Sequence, residues 1–142
     1  YRDARISSIY EGTTQRQPVA AIRYATNGSY AATLHEFESV PCAHEYEGYM
    51  NRIKDMTRKL EACTNAVKDA QNQELLDLVS RRLYEMAAVC VMSHLLLQDA
   101  TKAPEMFGKS LNVYVNYAES EVEKHFNFIR KFQADELASY RN

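Results

Sequence analysis

From Pro41 to the end of the chain, apolar and small residues recur three or four positions apart, the spacing of one face of an α-helix. The first such seam runs through Tyr46, Tyr49, Ile53, Met56, Leu60, Cys63, Val67 and Ala70 and predicts a long helix over 41–70. A turn at Gln71-Asn72-Gln73 separates it from a second seam at Leu76, Val79, Leu83, Met86, Cys90, Ser93 and Leu97. Leu75, Ala87, Val89 and Leu96 widen that stripe, so the second helix must touch more than one neighbour. After Thr101-Lys102-Ala103, Pro104 restarts the chain. A third seam then follows at Phe107, Leu111, Tyr114, Ala118, Val122, His125, Ile129 and Phe132. Upstream, a shorter helix is expected from Pro18 to Asn27-Gly28, and 29–40 reads as a linker with a short helical turn around Tyr30 to His35. Short connections make consecutive helices antiparallel. The expected fold is all-α: an up-down-up bundle of three long helices, preceded by a loop around Glu11 and a shorter helix.

Composition narrows the setting. The 142 residues (16.3 kDa) suffice for one domain, or a small domain plus a segment of another. Hydrophobic residues make up 46% and charged residues 25%, which is too apolar for a disordered chain. A net charge of −2 draws the chain to neither nucleic acid nor an anionic membrane. The apolar run from Met86 is broken at Ser93 and His94, well short of the roughly 20 residues of a bilayer span. The opening Tyr-Arg-Asp, with no Met and no apolar leader, reads as a piece of a longer protein. Cys42, Cys63 and Cys90 are odd in number and widely spaced, and two lie on helical stripes, so buried free thiols are expected.

Candidate chemistry is sparse. His35, Glu36, Glu38, Cys42, His44, Glu45 and Glu47 form a run of ligand-type residues without metal-ligand spacing, which reads as a hydrated linker and helix start. Glu121 and His125 share a helix face, which one i, i+4 ion pair explains as well as a ligand pair does, and His94 reads as a satisfied core or interface histidine. No nucleophile elbow, phosphate-binding glycine loop or paired-cysteine motif is present. The strongest local feature is Glu11, a lone acid in a glycine-containing loop. Gly12 permits close backbone approach to a ligand, and Thr13, Thr14 and Gln15 offer donors near a helix start. Desolvation of Glu11 would raise its pKa toward that of a general base.

The run Arg2-Asp3-Ala4-Arg5-Ile6, Ile9-Tyr10-Glu11-Gly12-Thr13, Gln15 and Gln17 resembles the active-site loop joining the last two core helices of the flavin-dependent acyl-CoA dehydrogenases. The resemblance implies that Glu11 removes the α-proton of an acyl-CoA thioester while the β-hydride passes to FAD, giving a trans-2-enoyl-CoA. It implies that Gly12 lies against the substrate and that Thr13, Thr14 and Gln15 contact FAD. Arg16 stands where the family usually has an aliphatic residue, and Pro18 follows Gln17, which implies a later helix start. The family further implies electron-transfer flavoprotein as acceptor, a homo-oligomer, and a bacterial cytoplasmic setting with no membrane span and no nucleic acid. On this reading 1–28 ends the catalytic helical domain, 29–40 links, and 41–142 is a C-terminal helical extension like that of longer bacterial members. The isolated chain is expected to be inactive, because most of the FAD and acyl-CoA sites would lie upstream. Taken alone, 41–142 also reads as a non-catalytic interaction or oligomerisation module.

Overall fold

Three apolar stripes meet along one axis. The computed structural model describes residues 26–132 and 134–139, which contain helices and no strand. Helix α1 is Ser29–Glu38, and a 3-10 turn at His44–Tyr46 leads into α2, Glu47–Asp69. Helix α3 is Gln73–Lys102, α4 is Pro104–Lys131, and the five-residue α5 is Ala134–Ala138. The long helices α2, α3 and α4 form the bundle, as the seams require.

Each boundary has a local cause. Helix α2 starts six residues later than the sequence suggests, because Ala43 is extended (φ −62°, ψ 145°) and the 3-10 turn intervenes. It stops at Gln71, whose φ of 47° puts a side-chain-bearing residue in the left-handed region. Asn72 then caps α3, its Oδ1 accepting from the Leu75 N–H at 3.1 Å. Ala103 ends α3 and starts α4 at once, with Pro104 in the first turn, where its missing N–H costs nothing. This one-residue joint forces α3 and α4 side by side and antiparallel.

The core contains the expected stripe and more. Ile53, Met56, Leu60, Cys63 and Val67 of α2 are buried, as are Val79, Leu83, Met86, Cys90, Ser93 and Leu97 of α3. Leu111, Ala118, Val122, His125 and Ile129 of α4 complete it. Tyr46, Tyr49, Tyr114 and Phe107 only pack partly against this core, and Ala70 is exposed. The seams omitted Met50, Thr57 and Val115, each of which neighbours a seam position and widens its helix's buried face. Buried hydroxyls are satisfied within their own helices: Thr57 donates to Ile53 O, Ser80 to Asp77 O and Ser93 to Val89 O.

Polar pairs fix the register of α2 on α4. Tyr49 Oη donates to Asn112 Oδ1 at 3.1 Å, and Arg52 forks onto Glu119 at 2.8 and 2.5 Å while also reaching Asn116. Lys59 bridges Asp55 and Glu123. Partners stay 63 to 67 positions apart along the whole flank, so α2 and α4 are parallel. These half-exposed pairs contribute only about 0.2–1 kcal/mol each, so they select alignment while apolar burial supplies stability. Gly108 admits Tyr46 on the same side: a Cβ there would lie 3.0 Å from the Tyr46 hydroxyl.

The stretch expected to be a linker is largely helix. Gly28, at φ 88°, turns the chain into α1, and Asn27 Oδ1 accepts from the Ser29 N–H at 3.0 Å. Leu34 is fully buried and Phe37 partly so, so α1 is an arm docked on α2 and α3. A ten-residue helix is unstable alone in water, so this docking is what keeps it helical.

Two outcomes test this packing. Leu83→Ala, at a fully buried position, is expected to cost about 2–5 kcal/mol, whereas Leu78→Ala at a site 41% exposed should stay within about 0.5 kcal/mol. Urea midpoints that do not separate the two variants would contradict the assigned core. Gln71→Gly should raise the midpoint by the equivalent of about 0.5–1 kcal/mol, by relieving the left-handed backbone; a lower midpoint would show that no strain resides there.

Candidate functional site

The residues singled out for chemistry, Glu11, Gly12, Thr13, Thr14 and Gln15, lie outside the described residues, as does the helix expected from Pro18. The place where their segment enters the bundle is described. Between the start of α1 and the C-terminal half of α2 lies a cavity of about 320 Å³, lined by Thr26, Gly28, Tyr30, Leu60, Glu61 and Lys68 among others. A second hollow of about 410 Å³ continues past Val67 and Gln71 to Leu76. These walls mix apolar and polar groups and include no cysteine, histidine or serine to serve as nucleophile or base.

The described histidines fall into three environments. On the surface, His44 pairs with Glu47 at 3.0 Å, which raises its pKa. His35 places Nδ1 3.3 Å from Glu38 and Nε2 2.7 Å from Glu61, tying α1 to α2. Its pKa is raised, first by the hydrogen bond to Glu38 and then by the Glu61 charge. The run of ligand-type residues from His35 to Glu47 is thus divided among separate pairs, and it forms no ligand cluster among the described residues.

His125 is buried where α3 meets α4. Its Nε2 lies 2.8 Å from Glu85 Oε2 and 3.7 Å from Glu121 Oε2, so the closer acid comes from the neighbouring helix and not from the i, i+4 partner. The Glu85 contact is short but off-line, leaving Nε2 without a well-formed hydrogen bond. These three side chains are the one trio among the described residues able to converge on a metal ion. Their surroundings argue against that role. Arg81 holds Glu85 at 2.9 Å and Lys124 holds Glu121 at 2.5 Å, so both carboxylates already have cations. Arg82, stacked 3.6 Å over Phe128, points Nη1 at His125 Nδ1 from 3.5 Å. A guanidinium only donates, so this long approach favours the tautomer whose proton sits on Nε2, the atom nearest both acids. Burial is the largest influence on His125 and lowers its pKa. The trio is a cross-helix polar contact.

His94 departs from expectation. It is 1% exposed, as a core residue should be, but neither ring nitrogen has a hydrogen-bond partner. Its ring faces Phe37 of α1 with centroids 5.8 Å apart, and burial lowers its pKa. A satisfied histidine was expected, because a helical stripe reveals burial but not what the opposing helix offers. All three thiols are free as expected, but Cys42 is only half-buried; burial pushes Cys63 up to about 11 and Cys90 up to about 12. Neither buried thiol is a thiolate at neutral pH. No described helix is long and apolar enough to cross a membrane.

The bundle therefore offers packing surfaces and no assembled reaction centre among the described residues. Comparison with known proteins supplies the relationship. No curated protein matches the chain. A solved structure, that of an acyl-CoA dehydrogenase family protein from Porphyromonas gingivalis, shares 36% identity over 80% of this chain and 98% of that one, with a TM-score of 0.76. The family model described as acyl-CoA dehydrogenase C terminal matches residues 26–137, which takes in α1 and all three long helices. With most of its length matched, the chain belongs to the acyl-CoA dehydrogenase C-terminal family.

Proposed function

We propose that this chain is the C-terminal part of an acyl-CoA dehydrogenase, with the catalytic base at Glu11 and the bundle over 41–142 as its C-terminal extension. The observation that carries the reading is one of adjacency. A loop resembling the family's base-bearing motif runs directly into a bundle that matches the family's C-terminal model. In the parent enzyme the Glu11 carboxylate takes the α-proton of the acyl-CoA thioester. Gly12 lets the backbone approach the thioester closely, and the donors of Thr13, Thr14 and Gln15 suit the polar edge of a flavin. FAD, when bound, supplies the acceptor for the β-hydride. The cavity beside α1 carries donors at Thr64, Asn65 and Lys68, whereas Thr13, Thr14 and Gln15, which the resemblance assigns to FAD, lie outside the described residues. The same reading gives electron-transfer flavoprotein as the redox partner, a homo-oligomeric assembly and the bacterial cytoplasm as its setting. It also divides the chain into the end of the catalytic helical domain over 1–28, a link over 29–40 and the extension over 41–142.

A second reading concerns the bundle alone. Met106 is 71% exposed and Val113 68%. The register set by Glu85 and His125 places Met92 and Leu95 level with Tyr117 and Val113, and all four are exposed. Such a surface supports a non-catalytic role in which the extension mediates assembly.

In the full-length enzyme, Glu11→Gln should lower α-proton exchange of bound acyl-CoA into deuterated water by about 10²–10⁴-fold, with the flavin absorbance retained. Unchanged exchange would remove Glu11 from the reaction. The isolated 142-residue chain should bind no FAD and reduce no dye acceptor; stoichiometric flavin on it would place the cofactor site within these residues. For the second reading, Val113→Asp should weaken self-association in sedimentation experiments without changing the helical spectrum, and an unaltered association profile would exclude this face.

A further inference from the structure

We propose that α1 is a proton-released latch: the arm stays docked on the bundle while His94 is neutral and detaches when that ring takes up a proton. The proposal stands on position. His94 is 1% exposed and both its nitrogens lack partners, so an added proton would create a buried cation with no hydrogen bond waiting for it. Three helices surround the ring, but they do not share the burden equally. Helices α2 and α3 are held by long stripes, whereas α1 has ten residues, with Leu34 and Phe37 as its apolar anchors. The Phe37 ring that covers His94 belongs to this arm. Moving α1 is therefore the least costly way to bring water to His94. Gly28 at one end and the segment 39–43 at the other give the arm points about which to swing.

Other charges nearby have to be weighed. Glu38 of α1 favours the charged ring, while Lys54 of α2 opposes it. The Glu38 carboxylate is already engaged by His35, and on α3 the Cys90 thiol stays protonated. Burial remains the dominant influence, and it keeps His94 neutral while the arm is docked. His35 acts in the opposite direction. Its protonated form ties the arm to Glu61, a contribution present at low pH and lost as pH rises through its raised pKa. That side chain is 57% exposed, so solvent screens the tie and the buried ring decides the outcome.

The sign follows from linkage. In the undocked arm His94 titrates near its ordinary 6.5, and in the docked arm lower. Docking is therefore at full strength above 6.5 and weakens by about tenfold per pH unit below it, until the docked ring itself is protonated. Because α1 joins the segment carrying Glu11 to the long helices, release would replace a helical spacer of about 15 Å with a chain that reaches about 33 Å.

Hydrogen exchange of the whole chain, corrected for intrinsic rates, reads the latch directly. Between pH 7.5 and 5.0, residues 29–38 should lose protection by about tenfold per unit below 6.5 while α3 and α4 keep theirs. In His94→Gln, which cannot be charged, the arm should keep its protection throughout. NMR titration of the His94 ring in the unmutated chain provides a second reading that requires no variant, with its midpoint expected below 6.5 and coincident with arm release. Arm protection unchanged to pH 5.0, release that persists in His94→Gln, or simultaneous loss of protection in all helices would each overturn the proposal.

Discussion

The breadth of the buried face on α3 is the constraint on which the other elements depend. A helix with a narrow stripe can be satisfied by one partner, but α3 buries residues from Leu75 to Ala100 around more than a third of its circumference. It must therefore be covered from several directions at once. The one-residue joint at Ala103 brings α4 onto one side, the turn at Gln71 brings α2 onto another, and α1 covers what remains near His94. Remove any of these and apolar surface on α3 is returned to water, at about 25 cal/mol for each Å² exposed. The ion pairs on the α2 and α4 flank align a bundle that this burial has already driven together.

Much of the fold was legible because helical periodicity is a local property. The three seams identified the long helices, and Pro104 and the Gln71 region marked the breaks between them. Two things were not legible, for related reasons. Residues 29–38 carry only Leu34 as a fully buried side chain, too little to form a stripe, so the arm read as linker although it folds as helix against its neighbours. The groups that meet His125 and cover His94 were hidden because they come from other helices. Glu85 lies forty positions away in sequence and meets His125 only when α3 and α4 are zipped together. A sequence gives the face a residue occupies but not the side chain waiting opposite.

The functional signal divided differently. The residues with recognisable chemistry sit in the first seventeen positions, whereas the family match falls on 26–137, where packing is the dominant demand. This is reasonable physically, since a bundle with so broad a central face constrains the size of many side chains simultaneously. Such a pattern can identify a lineage while specifying no reaction. The described histidines and the two buried cysteines illustrate the point: they are paired, buried neutral or, at Cys63 and Cys90, held as protonated thiols.

The polar flank between α2 and α4 also bears on the order of assembly. Its contacts join residues 63 to 67 positions apart, while α3 and α4 meet immediately across Ala103. Closing a loop of that length costs chain entropy before any contact offsets it, whereas the hairpin of α3 and α4 closes almost without a loop. The hairpin of α2 and α3 closes nearly as readily across the turn at Gln71, so folding is biased to form the two hairpins first, with the α2 and α4 flank aligning last. On a ribosome, which releases the N-terminal residues first, α2 can pair with α3 as soon as that helix emerges, while the flank of α2 that meets α4 would stay exposed until α4 had been made.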